Sequence, residues 1–293
     1  RHGGAVVRRD GNIAGSDQIV VARNGRYAFY TNQRDASLGV GRIDRASDGT
    51  PSLSIVGHVA LDRLPAGIAL SADGTMLYVT SEIDNVDPQS VPGASDSRLG
   101  RTSCDVNLGP HGVLSVIDTR LAVDDPIHAV RFRIAAGCAP VRVALSSRGD
   151  VAWVSVRGED RVLAFSTSKL MDDNEHALLA QLAVGPEPIG ILATHDGAEL
   201  MVAASDGESQ AHRPRRSRLD VFDTAAVLGG GVTAACETSP AGRRPRELYE
   251  SADGTIWVTD YDGRAVVAFA GETSVATLGR TPSAAIQRSR CST

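Results

Sequence analysis

The sequence predicts an all-β protein, a β-propeller of four-stranded antiparallel blades. Three observations predict it. An apolar run, a glycine-centred turn and a second apolar run recur as one phrase in five copies. Two more strand-like runs usually follow each copy. The copies start at 16, 65, 140, 188 and 245, with a truncated sixth at 282. The shortest interval is close to the ~40 residues that one blade needs, and the excess elsewhere marks insertions.

Each element has a local reason. The copies read SDQIVVARNGRYAFYT (16–31), PAGIALSADGTMLYVTS (65–81), PVRVALSSRGDVAWVS (140–155), PIGILATHDGAELMVAA (188–204) and PRELYESADGTIWVT (245–259). The first run of each is alternating or wholly apolar, as in an inner strand. Asn24-Gly25, Asp73-Gly74, Arg148-Gly149, Asp196-Gly197 and Asp253-Gly254 supply the tight turn. The second run is β-branched and aromatic, as in Leu77-Tyr78-Val79 and Ile256-Trp257-Val258. Third strands follow at 112–118, 161–166, 218–223 and 264–270, and fourth strands at 129–137, 177–185 and 273–279.

The phrases LSADGTMLYVTSE and ESADGTIWVTDYDGRAVVAF resemble the YVTN-type propeller repeat. That repeat is shared by bacterial surface propellers, lactonase-like propellers and fungal secreted relatives. The resemblance covers about residues 16–290 and implies the fold, because the motif residues build the blade and not its chemistry. In repeat style, secretion and cysteines the chain is also similar to fungal propellers that include hetero-Diels–Alderases of meroterpenoid pathways.

The expectation is one domain, 1–293, with six blades, five and seven being the alternatives. The sixth would join Pro282-Ser-Ala-Ala-Ile to Ala5-Val-Val-Arg-Arg and close the ring between the termini. Insertions at 82–111 and 205–217 fall on the rim where second-to-third-strand loops emerge, so both would overhang the channel mouth. Cys104, Cys138, Cys236 and Cys291 are widely spaced with no CxxC, which disfavours structural zinc. Two disulfides in an oxidising compartment stand against free buried thiols. Cys104–Cys138 would pin the first insertion, leaving Cys236 for Cys291. Arg1 in place of an initiator Met fits a removed secretion signal or a trimmed chain, and the expected location is secreted or the secretory lumen.

The 293 residues carry a net charge of −5 and are 42% apolar. No apolar run reaches the ~18 residues of a membrane span. Mild acidity disfavours nucleic acid, and the one basic cluster, His212-Arg-Pro-Arg-Arg-Ser-Arg218, is too short for such a footprint. A monomer acting on a small organic substrate remains. There is no phosphate loop, nucleophile elbow or His-Glu-x-x-His motif.

Candidate chemistry sits on the rim. Arg142 and Arg246 each sit just after the proline that opens an inner strand, Pro140 and Pro245, so they can point into the channel. With His111, held between Gly-Pro and Gly, they would donate to a developing oxyanion. Glu82 or Glu247 would act as base. Arg98, Arg101, Arg157, Asp206, His212, Asp260 and Tyr261 would contact substrate. Such residues also serve as solvated groups or ties between blades. No cofactor is called for and no transition-metal site is expected. A calcium or magnesium ion on the axis, held by Glu82, Asp206 or Asp260, would need only oxygen ligands.

Three functions fit. The first is a cyclase of secondary metabolism, hetero-Diels–Alderase-like, working by alignment and carbonyl polarisation. The second is a lactonase-like hydrolase or isomerase. The third is a non-catalytic binding propeller.

Overall fold

A computed structural model describes residues 15–84, 111–205, 217–231, 235, 237–240, 244–270 and 273–279. Its strands form five four-stranded antiparallel sheets, each drawn from one contiguous stretch of chain. Blade 1 holds β1 (Ser16–Val21), β2 (Tyr27–Asn32), β3 (Ser37–Arg45) and β4 (Pro51–Ala60). Blade 2 holds β5 (Arg63–Leu70), β6 (Met76–Ile83), β7 (Val113–Asp118), the short helix α1 (Thr119–Asp124) and β8 (Val130–Ala135). Blade 3 holds β9 (Pro140–Leu145), β10 (Val151–Val156), β11 (Arg161–Ser166), α2 (Lys169–Asp172) and β12 (Leu178–Ala183). Blade 4 holds β13 (Pro188–Ala193), β14 (Glu199–Ala204), β15 (Arg218–Asp223), α3 (Thr224–Leu228) and β16 (Glu237–Pro240). Blade 5 holds β17 (Pro245–Glu250), β18 (Ile256–Asp260), β19 (Ala265–Ala270) and β20 (Thr273–Gly279).

The expected six blades are therefore corrected to five among the described residues. Blades 1 and 5 each complete four strands from their own sequence, so neither borrows a strand from the other terminus. The segments assigned to a composite sixth blade, 5–9 and 282–287, lie outside the described residues, as do most of both rim insertions.

The hairpin turns behave as their sequences require. Gly74 (φ +77°) and Gly149 (φ +74°) occupy the left-handed region. Asp73 adds a second device: its carboxylate accepts from Ser71 Oγ (2.6 Å), Thr75 N (3.0 Å) and Thr75 Oγ1 (2.9 Å). Those bonds, Ser71 first, pull its pKa down to about 2. Asp73→Ala is expected to cost about 1 kcal/mol near neutral pH. The ionised carboxylate stabilises the fold above its ordinary 3.8, and that gain is lost as pH falls through about 2. Urea titrations of both proteins should therefore converge in strong acid.

Blades pack face to face through alternate apolar residues. Phe29, Leu38 and Val40 meet Ile68, Leu77 and Val79 between blades 1 and 2. Leu114, Val116 and Ile134 meet Val154, Leu163 and Phe165 between blades 2 and 3. Trp153 and Val162 meet Ile191, Leu200 and Phe222 between blades 3 and 4.

Hydroxyls join neighbouring innermost strands. The first strand of each blade slips register close to its start. Thr31, Thr80 and Ser155 fill those irregularities, accepting from Gln18 N (3.1 Å), Gly67 N (2.8 Å) and Arg142 N (3.1 Å). The same hydroxyls donate across the seam to Ala66 O (3.0 Å), Val141 O (2.9 Å) and Ile189 O (2.8 Å). Ser205 donates likewise to the carbonyl of Pro245. Gly67 must be glycine here, because a Cβ would stand 2.6 Å from Val141 O. Ser155→Ala strands one buried donor and one buried acceptor, and should lower stability by about 2–3 kcal/mol. A urea midpoint within experimental error of wild type would refute that role.

Candidate functional site

Strand register gathers the candidate residues at one end of the blades. Ser16 pairs with Asn32, Pro65 with Ser81, Pro140 with Val156 and Pro245 with Asp260. The entry of each innermost strand thus lies beside the exit of its second strand. The residue before each opening proline, Leu64, Ala139, Glu187 or Arg244, has a φ between +47° and +61°. This reversal turns the chain from the rim into the inner strand, at a local cost of about 1–2 kcal/mol each.

Arg142 enters from blade 3 and its side chain is 8% exposed. Nη1 donates to Asp17 Oδ2 of blade 1 at 2.7 Å. Nη2 and Nε donate to Glu247 Oε1 of blade 5 at 2.6 and 3.0 Å. Gln18 extends the network: Nε2 donates to Glu247 Oε2 (3.2 Å), and Oε1 accepts from Ile68 N (3.0 Å) in blade 2. Four of the five blades are tied through one guanidinium and its partners. Burial alone would disfavour the cation, but the two carboxylates outweigh it and raise its pKa.

Beside this network, Arg157 Nη2 lies 2.6 Å from Glu82 Oε2. The Glu82 side chain is 14% exposed. Burial pushes its pKa up, Asp17 adds to the rise, and Arg157 and Arg142 oppose it. Arg246 is placed differently. Its guanidinium carbon stands 4.4 Å from the Tyr261 ring centroid, with that of Arg244 at 5.8 Å. Arg246 Nε is buried without an acceptor, and no carboxylate pairs with the group among the described residues. A cation over a tyrosine face keeps its hydrogen-bond donors for another partner.

The other expected residues divide clearly. His111 is half-buried, and its carbonyl accepts from Asp84 N (3.0 Å). Asp260 is buried and its Oδ1 accepts from Gly263 N (2.9 Å), so it braces its own hairpin. Arg98, Arg101, Asp206 and His212 lie outside the described residues. Cys138 is buried and disulfide-bonded. Cys104, Cys236 and Cys291 are not among the described residues, so neither expected pairing is described. Sequence reasoning missed Asp17 and Gln18. Their signal was position: they occupy in SDQIV the places that Val141 and Arg142 occupy in PVRV.

The described residues also form clefts between blades on the opposite, turn-bearing face. One of about 440 Å³ lies around Arg23, Asp73 and Arg120. Another of about 220 Å³ lies around Arg148, Trp153 and Gly197. Neither touches the ionic network.

No family model matches the chain, and no curated protein matches it. Solved structures do. The chain is similar to hydrazine synthase of Kuenenia stuttgartiensis, with TM-score 0.58 and 17% identity over 90% of this chain and 65% of that one. A candidate 6-phosphogluconolactonase of Bacteroides fragilis gives TM-score 0.61 and 15% identity over 89% and 70%. A Lactobacillus plantarum protein gives 0.60 and 16% over 91% and 72%. The chain thus spans somewhat under two thirds of the hydrazine synthase chain that it matches. At these identities the likeness is one of fold: an all-β propeller, shared with proteins that carry lactonase names.

Proposed function

We propose that the chain is a lactonase-like hydrolase that opens a small cyclic ester at the channel mouth. The observation that carries this reading is Glu82, a half-buried carboxylate with a raised pKa, 2.6 Å from Arg157. A carboxylate shifted upward from 4.5 is better matched to proton transfer near neutrality. Glu82 takes a proton from water, and the oxygen attacks the lactone carbonyl. Guanidinium hydrogens of Arg157 not used on Glu82 stabilise the resulting oxyanion. The ring C–O bond then breaks, and protonated Glu82 returns its proton to the leaving oxygen. Arg246, held by Tyr261, grips a polar substituent of the substrate.

Arg142 serves as the rigid centre of the site. The cyclase reading gave it a free donor role, but its donors are occupied by Asp17 and Glu247. The lactonase names among the similar folds lend the hydrolase reading further support. The test is a pH-stat assay of purified protein against γ- and δ-lactones, neutral and polar-substituted. Acid release that scales with enzyme and disappears in Glu82→Gln is expected. No turnover of any lactone would overturn the reading.

A further inference from the structure

A second cluster lies on the same rim and takes no part in the hydrolase mechanism. One ligand-capable atom each from His111, Cys138 and Glu159 lies within 4.8 Å of the other two. Three separate segments bring them together, and backbone bonds fix all three. Gly112 N donates to Gly137 O (2.7 Å) and Ala136 N to Gly112 O (2.9 Å), tying the His111 segment to that of Cys138. Gly158 N donates to Cys138 O (3.0 Å) and Arg157 N to Ala139 O (3.1 Å), tying in the turn that carries Glu159. Glu159 itself bridges: Oε1 accepts from Cys138 N (3.0 Å), and Oε2 pairs with Arg161 Nε (2.9 Å).

We infer that His111, Cys138 and Glu159 form a latent divalent-metal site of the zinc class, closed while Cys138 is in its disulfide and opened by reduction. A disulfide sulfur is not a thiolate and does not ligate zinc well, so the oxidised chain holds the cluster idle. A dithiol reductant breaks the S–S bond, giving two protein thiols and its own cyclic disulfide. The Cys138 thiol then loses its proton as zinc binds. Imidazole, thiolate and carboxylate are the three donor types zinc accepts, and three protein ligands leave a fourth position open. Bond lengths of about 2.0–2.3 Å place tetrahedral ligands roughly 3.3–3.8 Å apart, so atoms within 4.8 Å of one another need to close by at most about 1.5 Å. The backbone ties hold the three segments to a short path for that movement.

The inference stands apart from the hydrolase reading, and its test reads metal alone. The whole protein is titrated with zinc, and with cobalt as a spectroscopic stand-in, before and after treatment with a dithiol that is then removed without oxygen. Reduced protein is expected to take up one equivalent of zinc. With cobalt it should show a near-ultraviolet sulfur-to-metal charge-transfer band. Oxidised protein should do neither. His111→Ala and Glu159→Gln should each weaken uptake by at least about tenfold. Glu159→Gln keeps an acceptor for Cys138 N, so it separates metal binding from folding. Equal uptake by oxidised and reduced protein, no uptake by reduced protein, or unchanged affinity in both variants would each overturn the inference.

Discussion

Arg142→Ala will lower the unfolding free energy by about 3 kcal/mol, the low end of the range for removing one partner of a buried ion pair. The low end applies because Asp17 and Glu247 keep 30% and 44% side-chain exposure and recover some hydration. Loss of the guanidinium leaves two carboxylates facing each other where one cation separated them. Arg142→Lys should recover little, since an ammonium cannot form the forked contacts to both partners. Arg142→Met combined with Asp17→Asn and Glu247→Gln should recover much of the loss, because no unpaired charge then remains. Urea unfolding of this series is the measurement. A loss below 1 kcal/mol for Arg142→Ala would remove the network from its central structural position.

Glu82→Gln is expected to reduce lactone hydrolysis by about 10²–10⁴-fold while the protein stays folded. The pH dependence gives a sharper expectation. Activity should rise as Glu82 ionises, with an inflection displaced upward from 4.5. Arg157→Gln removes a charge that holds the pKa down, so it should move the inflection higher still. Stability must run the opposite way. With a raised pKa the folded state holds its proton longer than the unfolded one. The protonated group therefore contributes fully below about 4.5, and that contribution fades as pH climbs through the raised value. Glu82→Gln should flatten this slope. An activity profile with no inflection attributable to Glu82 would sink the assignment.

The blade repeat was legible because hairpin chemistry is local. Asp73-Gly74-Thr75 and Asp253-Gly254-Thr255 dictate the same turn wherever they stand, and both form it. Arg142 was legible for a similar reason: it lies just inside an inner strand opened by Pro140. Its pairing was not, since Asp17 and Glu247 are separated from it by 125 and 105 residues. Only the packing of the blades against one another decides which of these side chains meet. The seam hydroxyls were visible as Thr31, Thr80 and Ser155 at matching places in AFYT, LYVT and AWVS. Their acceptors belong to another blade, so β-propensity was the reading available from sequence alone. The blade count went astray because short apolar runs such as 5–9 satisfy a strand pattern without proving a partner.

The seam hydroxyls have a bearing on how such a chain can change length. At the first three junctions the donor comes from the same strand position and the acceptor from the residue after β5, β9 or β13 turns inward. These interfaces are thus written in one interchangeable grammar. A gene segment duplicated in frame would present compatible edges at once, and the array of blades could gain a member without any seam being redesigned.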